Sequence, residues 1–337
     1  MTNQQLKKTK LEIIDRINKS DNFAVLISDP DDDAIGSGLA MEEILAQKEK
    51  SVKLYSSFDI PEYAFLPRSE KFIIQDTSTV DFGQFNNLIF LDSSDPSRTL
   101  DSISERSVRI PKKTFVINID HHSTTTMFGN LNYVVPESTS TGELLFDIFG
   151  KEITITPSIA TNLLCAIIGD TNCFKYPTYD YAHTLEIASI LIKKGAKHDD
   201  IVKNAFYTND KKVIDMNTEA LKNMHYNRVG NISYTSTVVD MKKYGITTSS
   251  SRRSFHIYYE IVQSIKGIDF SVRINPLVDG LLKLSFRGRT VAVDKLAEHF
   301  DGGGHKAAAG STIQNTPEQF LEELKNYLKS TKLEKLA

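Results

Sequence analysis

Three aspartates in succession, Asp31, Asp32 and Asp33, follow the apolar run FAVLI at residues 23–27. Like charges repel, and a carboxylate held away from water is disfavoured unless something cationic compensates it. Asp31 and Asp33 are two residues apart, a spacing that points both side chains the same way on an extended segment. Asp92 closes another apolar run, NLIFLD, and Asp120 ends a third before His121 and His122 in IDHH. Asp170 follows the apolar stretch that ends in IIG. Carboxylates mixed with imidazole suit a hard or borderline divalent ion, manganese or magnesium with zinc as an alternative, and not a thiolate-preferring one. More than three carboxylates suggest two ions, and a carboxylate bridging ions roughly 3.5–4 Å apart is the usual arrangement for hydrolysing phosphate esters. Each position alone has a plainer reading as a helix cap, a turn residue or a solvated charge. Their recurrence at successive run ends favours the metal.

A second group lies near the end of the chain. In DGGGHKAAAG (301–310), Gly302, Gly303 and Gly304 precede His305 and Lys306. Three glycines let a backbone approach an anion closely with its N–H groups turned inward. Upstream, SFRGRT supplies Arg287 and Arg289, and a guanidinium grips phosphate bidentately. The plainer reading is a flexible surface loop. A third stretch, STSTGE (138–143), fits a capping box in which Ser140 and Glu143 begin the helix GELLFDIFG. The N–H groups of that helix start make Ser140 and Thr141 secondary candidates for receiving a phosphate.

These residues need elements that converge. FAVLI, SVKLYSS, NLIFLD and TFVINID read as strands, separated by helical segments such as 34–50. Continuous apolar runs in that alternation predict a parallel sheet covered on both faces. The polar residues then collect at the carboxyl ends of the strands, where open parallel sheets bind ligands. Helices are expected at 155–171, 181–195 and twice within 198–226; beyond residue 230, period-two segments predict strands around a helix or two, then the glycine loop and a last amphipathic helix.

The 337 residues suggest two domains, with 40% hydrophobic and 25% charged residues marking an ordinary globular chain. A net charge of −3 argues against a protein that coats long nucleic acid. No run reaches the roughly 18 apolar residues that cross a bilayer, and the N-terminal stretch reads as an amphipathic helix without a signal-peptide core. The two cysteines, Cys165 and Cys173, are expected as free thiols in a cytoplasmic protein.

PDDDAIGS, FLDSSD, IDHH, GDT and GGGHKAAAG, in this order and spacing, resemble the DHH phosphoesterase superfamily. The two-domain form is similar to bacterial nanoRNase/pAp phosphatases and to standalone cyclic-dinucleotide phosphodiesterases. The resemblance implies an α/β protein with a parallel-sheet DHH catalytic domain (1–197), a helical connector (198–226) and a smaller α/β substrate-binding domain (227–337). It implies two divalent ions, manganese first, with magnesium, cobalt or zinc as alternatives. Asp31 and Asp33 would each hold one, Asp92 would bridge them, and His121 and Asp170 would complete the set. His122 would contact the scissile phosphate, and Asp120 would orient His121. Arg287, His305 and Gly302 to Gly304 would bind the nucleotide. Ile27 stands where the family has a ligating histidine, which makes Asp29 or water a substitute; Asp32 replaces a glycine and is expected to face water. The implied activity is hydrolysis of short RNA, 3′-phosphoadenosine 5′-phosphate (pAp) or linear and cyclic dinucleotides, with no long nucleic acid and no membrane as partners and a homodimer as an allowed assembly. The alternatives are a nucleotide sensor without catalysis, a pyrophosphatase, or a single-strand exonuclease.

Overall fold

The structure is a computed structural model and describes residues 2–27, 30–97, 110–176, 180–246, 253–304 and 306–336. Asp29 and His305 therefore lie outside the described residues. The chain divides into two compact units, Met1–Tyr207 and Thr208–Ala337. Among the described residues, no helix is long and apolar enough to cross a membrane.

The first unit opens with α1 (Asn3–Lys19), followed by β1 (Asn22–Ile27), α2 (Asp32–Gln47), β2 (Ser51–Ser56), β3 (Phe72–Ile74), β4 (Asn87–Leu91), β5 (Phe115–Asp120) and β6 (Leu131–Val134). The strands form one parallel sheet in the order β3-β2-β1-β4-β5-β6. The chain leaves β1 towards one edge and later returns to build the other edge from β4, so the order reverses between these two neighbours. That reversal leaves a crevice at the carboxyl ends of β1 and β4. Both faces of the central strands are apolar. Phe23, Val25, Ile27, Ile89, Leu91, Ile117 and Ile119 face one core, and Ala24, Leu26, Leu88, Phe90 and Val116 the other. Helices cover the first face: α1, α2, α3 (Thr141–Phe149), α4 (Pro157–Asp170), α5 (Ala182–Lys193) and α6 (His198–Phe206). Among the described residues the opposite face is closed by Tyr55, Val80, Phe82 and Phe85 from strand ends and short 3-10 turns.

Helices α2 and α4 pack very closely because glycines line their contact. A Cβ on Gly36 would meet the Asn162 carbonyl at 2.4 Å, and one on Gly169 would meet the Asp32 Cβ at 2.0 Å. Asp32 is therefore only half-exposed, against α4, rather than facing water as expected. This contact brings the start of α2, with Asp31 to Asp33, beside the end of α4, with Asp170.

In the second unit α7 (Lys211–Lys222) leads to β7 (His225–Val229), β8 (Ile232–Val238), α8 (His256–Ser264), β9 (Phe270–Pro276), β10 (Leu281–Gly288), α9 (Asp294–His299), β11 (Gly303–Gly304), β12 (Ala308–Gln314) and α10 (Pro317–Ser330). The stretch 198–226 thus contributes α6 to the first unit and α7 to the second. The mixed sheet runs β11-β12-β10-β9-β8-β7. Its face lined by Phe270, Val272, Leu284 and Phe286 packs on Leu296 of α9 and on Phe320 and Leu324 of α10. Met216 and Ala220 of α7 pack with Tyr258 and Val262 of α8 in a further cluster. FHIYYEIVQSI is a helix here, and the glycine segment expected as a loop is an edge strand antiparallel to β12.

Replacing Gly36 with Ala tests the α2–α4 contact. The new methyl group can be housed only by moving backbone, a strain of about 1–3 kcal/mol. The expected result is an unfolding temperature lower by at least about 2 °C; an unchanged value would contradict the close packing.

Candidate metal centre

Asp31, Asp33, Asp92, Asp120, His121, His122 and Asp170 come from four chain segments and meet at the carboxyl edge of β1, β4 and β5. Asp31 caps α2, its Oδ1 accepting the Ala34 N–H at 2.9 Å, so the plain capping role is real. Asp33, one residue into the first turn, is fully buried. Its carboxylate accepts the backbone N–H groups of Thr141 (2.7 Å) and Gly142 (3.0 Å) and the Ser37 hydroxyl (3.0 Å). The start of α3 thus anchors Asp33. This corrects the expectation for Ser140 and Thr141: both are buried, and the N–H groups read as a phosphate receiver hold a carboxylate of this chain. The capping box is half made. Ser140 Oγ accepts the Glu143 N–H at 3.1 Å, but the Glu143 carboxylate takes hydroxyls from Ser138, Thr139 and Thr184.

Asp92 follows β4 with φ of +54°, a left-handed conformation uncommon outside glycine, which turns its carboxylate into the site. Its Oδ1 lies 3.5 Å from His121 Nε2 and 3.4 Å from His122 Nδ1, between the two rings. His121 is buried, with Nε2 also 3.0 Å from Asp170 Oδ2 and 3.5 Å from Asp33 Oδ2. Its other nitrogen, Nδ1, lies 3.2 Å from the Ser138 carbonyl oxygen. A carbonyl only accepts, so Nδ1 carries a proton there, and Nε2 faces three carboxylates.

His122 is held differently. Its Nδ1 lies 2.7 Å from Asp120 Oδ1, and Asp120 also accepts both histidine N–H groups and the Thr125 hydroxyl. Asp120 therefore orients His122, not His121 as expected; the Ser138 carbonyl performs that role for His121. Burial disfavours the Asp120 charge, but the bonds from His122 and Thr125 outweigh it and keep the carboxyl below its usual range.

The remaining electrostatics describe a site in need of positive charge. Burial, then the neighbouring Asp170 charge, push the Asp33 carboxyl up to about 8, although His121 and the Thr141 N–H oppose this. Burial and the Asp33 and Asp31 charges hold Asp92 well above the ordinary carboxyl range. Burial alone would depress the His121 imidazole; bonds to Asp170 and Asp92 raise it well above its ordinary value. Ligand atoms of Asp92, His121 and His122, and of Asp33, His121 and Asp170, lie within 4.8 Å of one another in each set. Hard oxygens around an oriented imidazole nitrogen fit a divalent metal ion. Ile27 offers no ligand atom: it is 3% exposed, in the apolar core, with its Cγ2 where a Cβ on Gly38 would meet it at 3.0 Å.

The other expected residues belong to the second unit. Arg287 of β10 pairs with Ala308 of β12, whose next residue, Ala309, pairs with Gly304. Arg287 and the glycines therefore share one end of that sheet. Added methyl groups on Gly302 and Gly304 would meet backbone oxygens at 2.2 and 2.6 Å, so both glycines are needed for packing against β12. The sequence reading missed the Ser138 carbonyl, the Ser37 and Thr125 hydroxyls, and Arg273 and Tyr259 of the second unit. Only the odd arginine inside the strand DFSVRINP signalled the last pair.

A doubly flanked parallel sheet that gathers aspartates and a histidine pair at its switch point is the frame of a DHH domain. Residues 23–167 match the DHH family, N-terminal domain. It is 27% identical over 313 residues to the Thermus thermophilus "Bifunctional oligoribonuclease and PAP phosphatase NrnA", covering 90% of this chain and 89% of the relative. It is 25% identical over 295 residues to the Bacillus subtilis protein of the same description, covering 86% and 88%. Among solved structures, an exopolyphosphatase-related protein from Bacteroides fragilis superposes with a TM-score of 0.81 at 23% identity, over 96% of this chain and 97% of that one, and so shares the fold.

Proton competition makes the centre testable. Asp33 and Asp92 ionise in the folded, metal-free chain only above the ordinary carboxyl range, so ionising them destabilises it: their contribution is fullest at low pH and falls as pH rises past that range, for Asp33 towards about 8. A divalent ion must displace those protons. Manganese titrated by calorimetry should bind more tightly at pH 8 than at pH 6, with proton release visible as a buffer-dependent heat. Equal affinity at both values would contradict the assignment.

Proposed function

We propose that the chain is a divalent-metal-dependent phosphoesterase that hydrolyses short oligoribonucleotides and pAp, with linear and cyclic dinucleotides as further substrates. The observation that carries this reading is the convergence of Asp33, Asp92 and Asp170 on His121 Nε2. The relatives' printed activities supply the substrate class. In this reading Asp31, Asp33, Asp92, His121 and Asp170 hold two ions, manganese in first place. Bound there, such ions lower the pKa of water towards neutrality and neutralise charge on the phosphoryl oxygens.

The protein's own groups do the rest. Ser138 and the start of α3 fix His121 and Asp33, so the site does not reorganise during reaction. Asp120 holds the His122 ring at Nδ1, and in this reading His122 contacts the scissile phosphate. The second unit binds the nucleotide through Arg287, the glycines 302–304 and His305. A bidentate guanidinium suits a terminal phosphate, and the net charge of −3 suits a short ligand better than a long strand.

One observation favours a second reading, a nucleotide sensor without turnover: Ile27 is buried in the core and supplies no ligand. Asp92→Asn separates the two. With manganese and an RNA dinucleotide or pAp, the native chain should turn over and the variant should lose more than about a hundredfold, with circular dichroism unchanged. Absence of turnover in the native chain would favour the sensor, and near-native turnover in the variant would remove Asp92 from the site. Arg287→Ala should raise KM by about tenfold or more, the effect of one lost charge-assisted contact, and lower kcat less.

A further inference from the structure

The second unit contains a buried arginine, Arg273, to which the proposed reaction assigns no role. In the register of β9 and β10, Arg273 stands opposite Ser285 and Ser271 opposite Arg287, so both arginines rise from one sheet end. Arg273 is 6% exposed. Its partners are neutral: Nε donates to the Tyr259 hydroxyl at 3.0 Å, an Nη to Ser285 Oγ at 3.0 Å, and the guanidinium lies 3.7 Å from the centre of the Phe255 ring. Tyr259, from α8, reaches both arginines. Its hydroxyl is held by Arg273, and its ring lies under the Arg287 guanidinium at 4.4 Å. Among the described residues, Arg287 itself donates only to the neighbouring Phe286 carbonyl, at 2.9 Å. No described carboxylate pairs with either arginine. A buried arginine without an acidic partner is disfavoured; this one is retained where it can hold a tyrosine ring still.

We propose that Tyr259, clamped by Arg273, is the positioning residue for Arg287: the ring supports one face of the guanidinium and fixes the edge that meets the substrate's anionic group. The inference rests on the reading of Arg287 as a nucleotide-binding residue. A long arginine side chain loses rotamer freedom when it binds. A ring that already holds it in place removes part of that loss, as pre-organisation does generally. The ring does the supporting, and the hydroxyl only fixes the ring.

The test uses the full chain with manganese and an RNA dinucleotide, measuring KM and kcat separately for Tyr259→Met, Tyr259→Phe, Arg287→Ala and the double variant Tyr259→Met/Arg287→Ala. Tyr259→Met removes the ring and keeps the bulk; KM should rise about tenfold, the range of a desolvated cation–π contact, with a smaller change in kcat. Tyr259→Phe keeps the ring and should restore KM to within about threefold of the native value. In the double variant, loss of Tyr259 should add nothing to the Arg287→Ala effect, because both act through one contact. If Tyr259→Met does not fold, as judged by its unfolding transition, Tyr259→Leu carries the same comparison. A raised KM in Arg287→Ala with a native KM in the ring-less variant would overturn the positioning role and leave Arg287 as a binding residue. A native KM in Arg287→Ala would overturn the binding reading and the inference with it. A Tyr259→Phe variant as impaired as Tyr259→Met would place the effect in the hydroxyl and also overturn the proposal.

Discussion

Repulsion among buried carboxylates is the constraint on which the first unit turns. Asp33 and Asp92 are nearly inaccessible to water, with Asp31 and Asp170 beside them. Water cannot screen these charges, so the chain compensates them in other ways. The start of α3 donates two N–H groups to Asp33, and the His121 imidazole faces three carboxylates. The glycine-lined contact of α2 and α4 makes the arrangement geometrically attainable, because it lets the two helix ends that carry acids approach each other. These devices hold the acids together without neutralising them, and a divalent cation completes the balance.

Two adjacent histidines divide the work because their Nδ1 atoms find different partners. A backbone carbonyl fixes His121 and leaves its far nitrogen among acids. A carboxylate fixes His122. Asp120 serves as the anchor of that turn: with one oxygen it accepts both histidine N–H groups and the His122 ring. The same economy recurs in the second unit, where Arg273 holds the ring on which Arg287 rests. In both units, the groups read as functional are supported by residues with no chemistry of their own.

Much of this was legible from the residues. The apolar runs ending in Asp33, Asp92 and the histidine pair are the strands and turns that build the crevice, since burial on both faces of a parallel sheet imposes continuous apolar sequence. What was not legible depends on contacts between distant segments. Nothing near residue 33 announces that its carboxylate meets a helix start more than a hundred residues later. Ser138 acts through its carbonyl, which every residue type possesses. Asp120 was assigned to the wrong imidazole because adjacent positions cannot reveal which ring turns back. The glycine segment looked like a loop because its lack of side chains serves close strand packing as well as anion approach. Tyr259 and Arg273 were missed because only strand register and helix packing bring them to Arg287.

The central claim is that the clustered acids and His121 form a metal centre. Anomalous diffraction from crystals grown with manganese, recorded at its absorption edge, tests this most directly. The account predicts two strong peaks, one beside His121 Nε2 between Asp33 and Asp170, and one sharing Asp92 with the first. Absence of density there, or manganese found instead at the exposed Asp147–His183 pair, would contradict it.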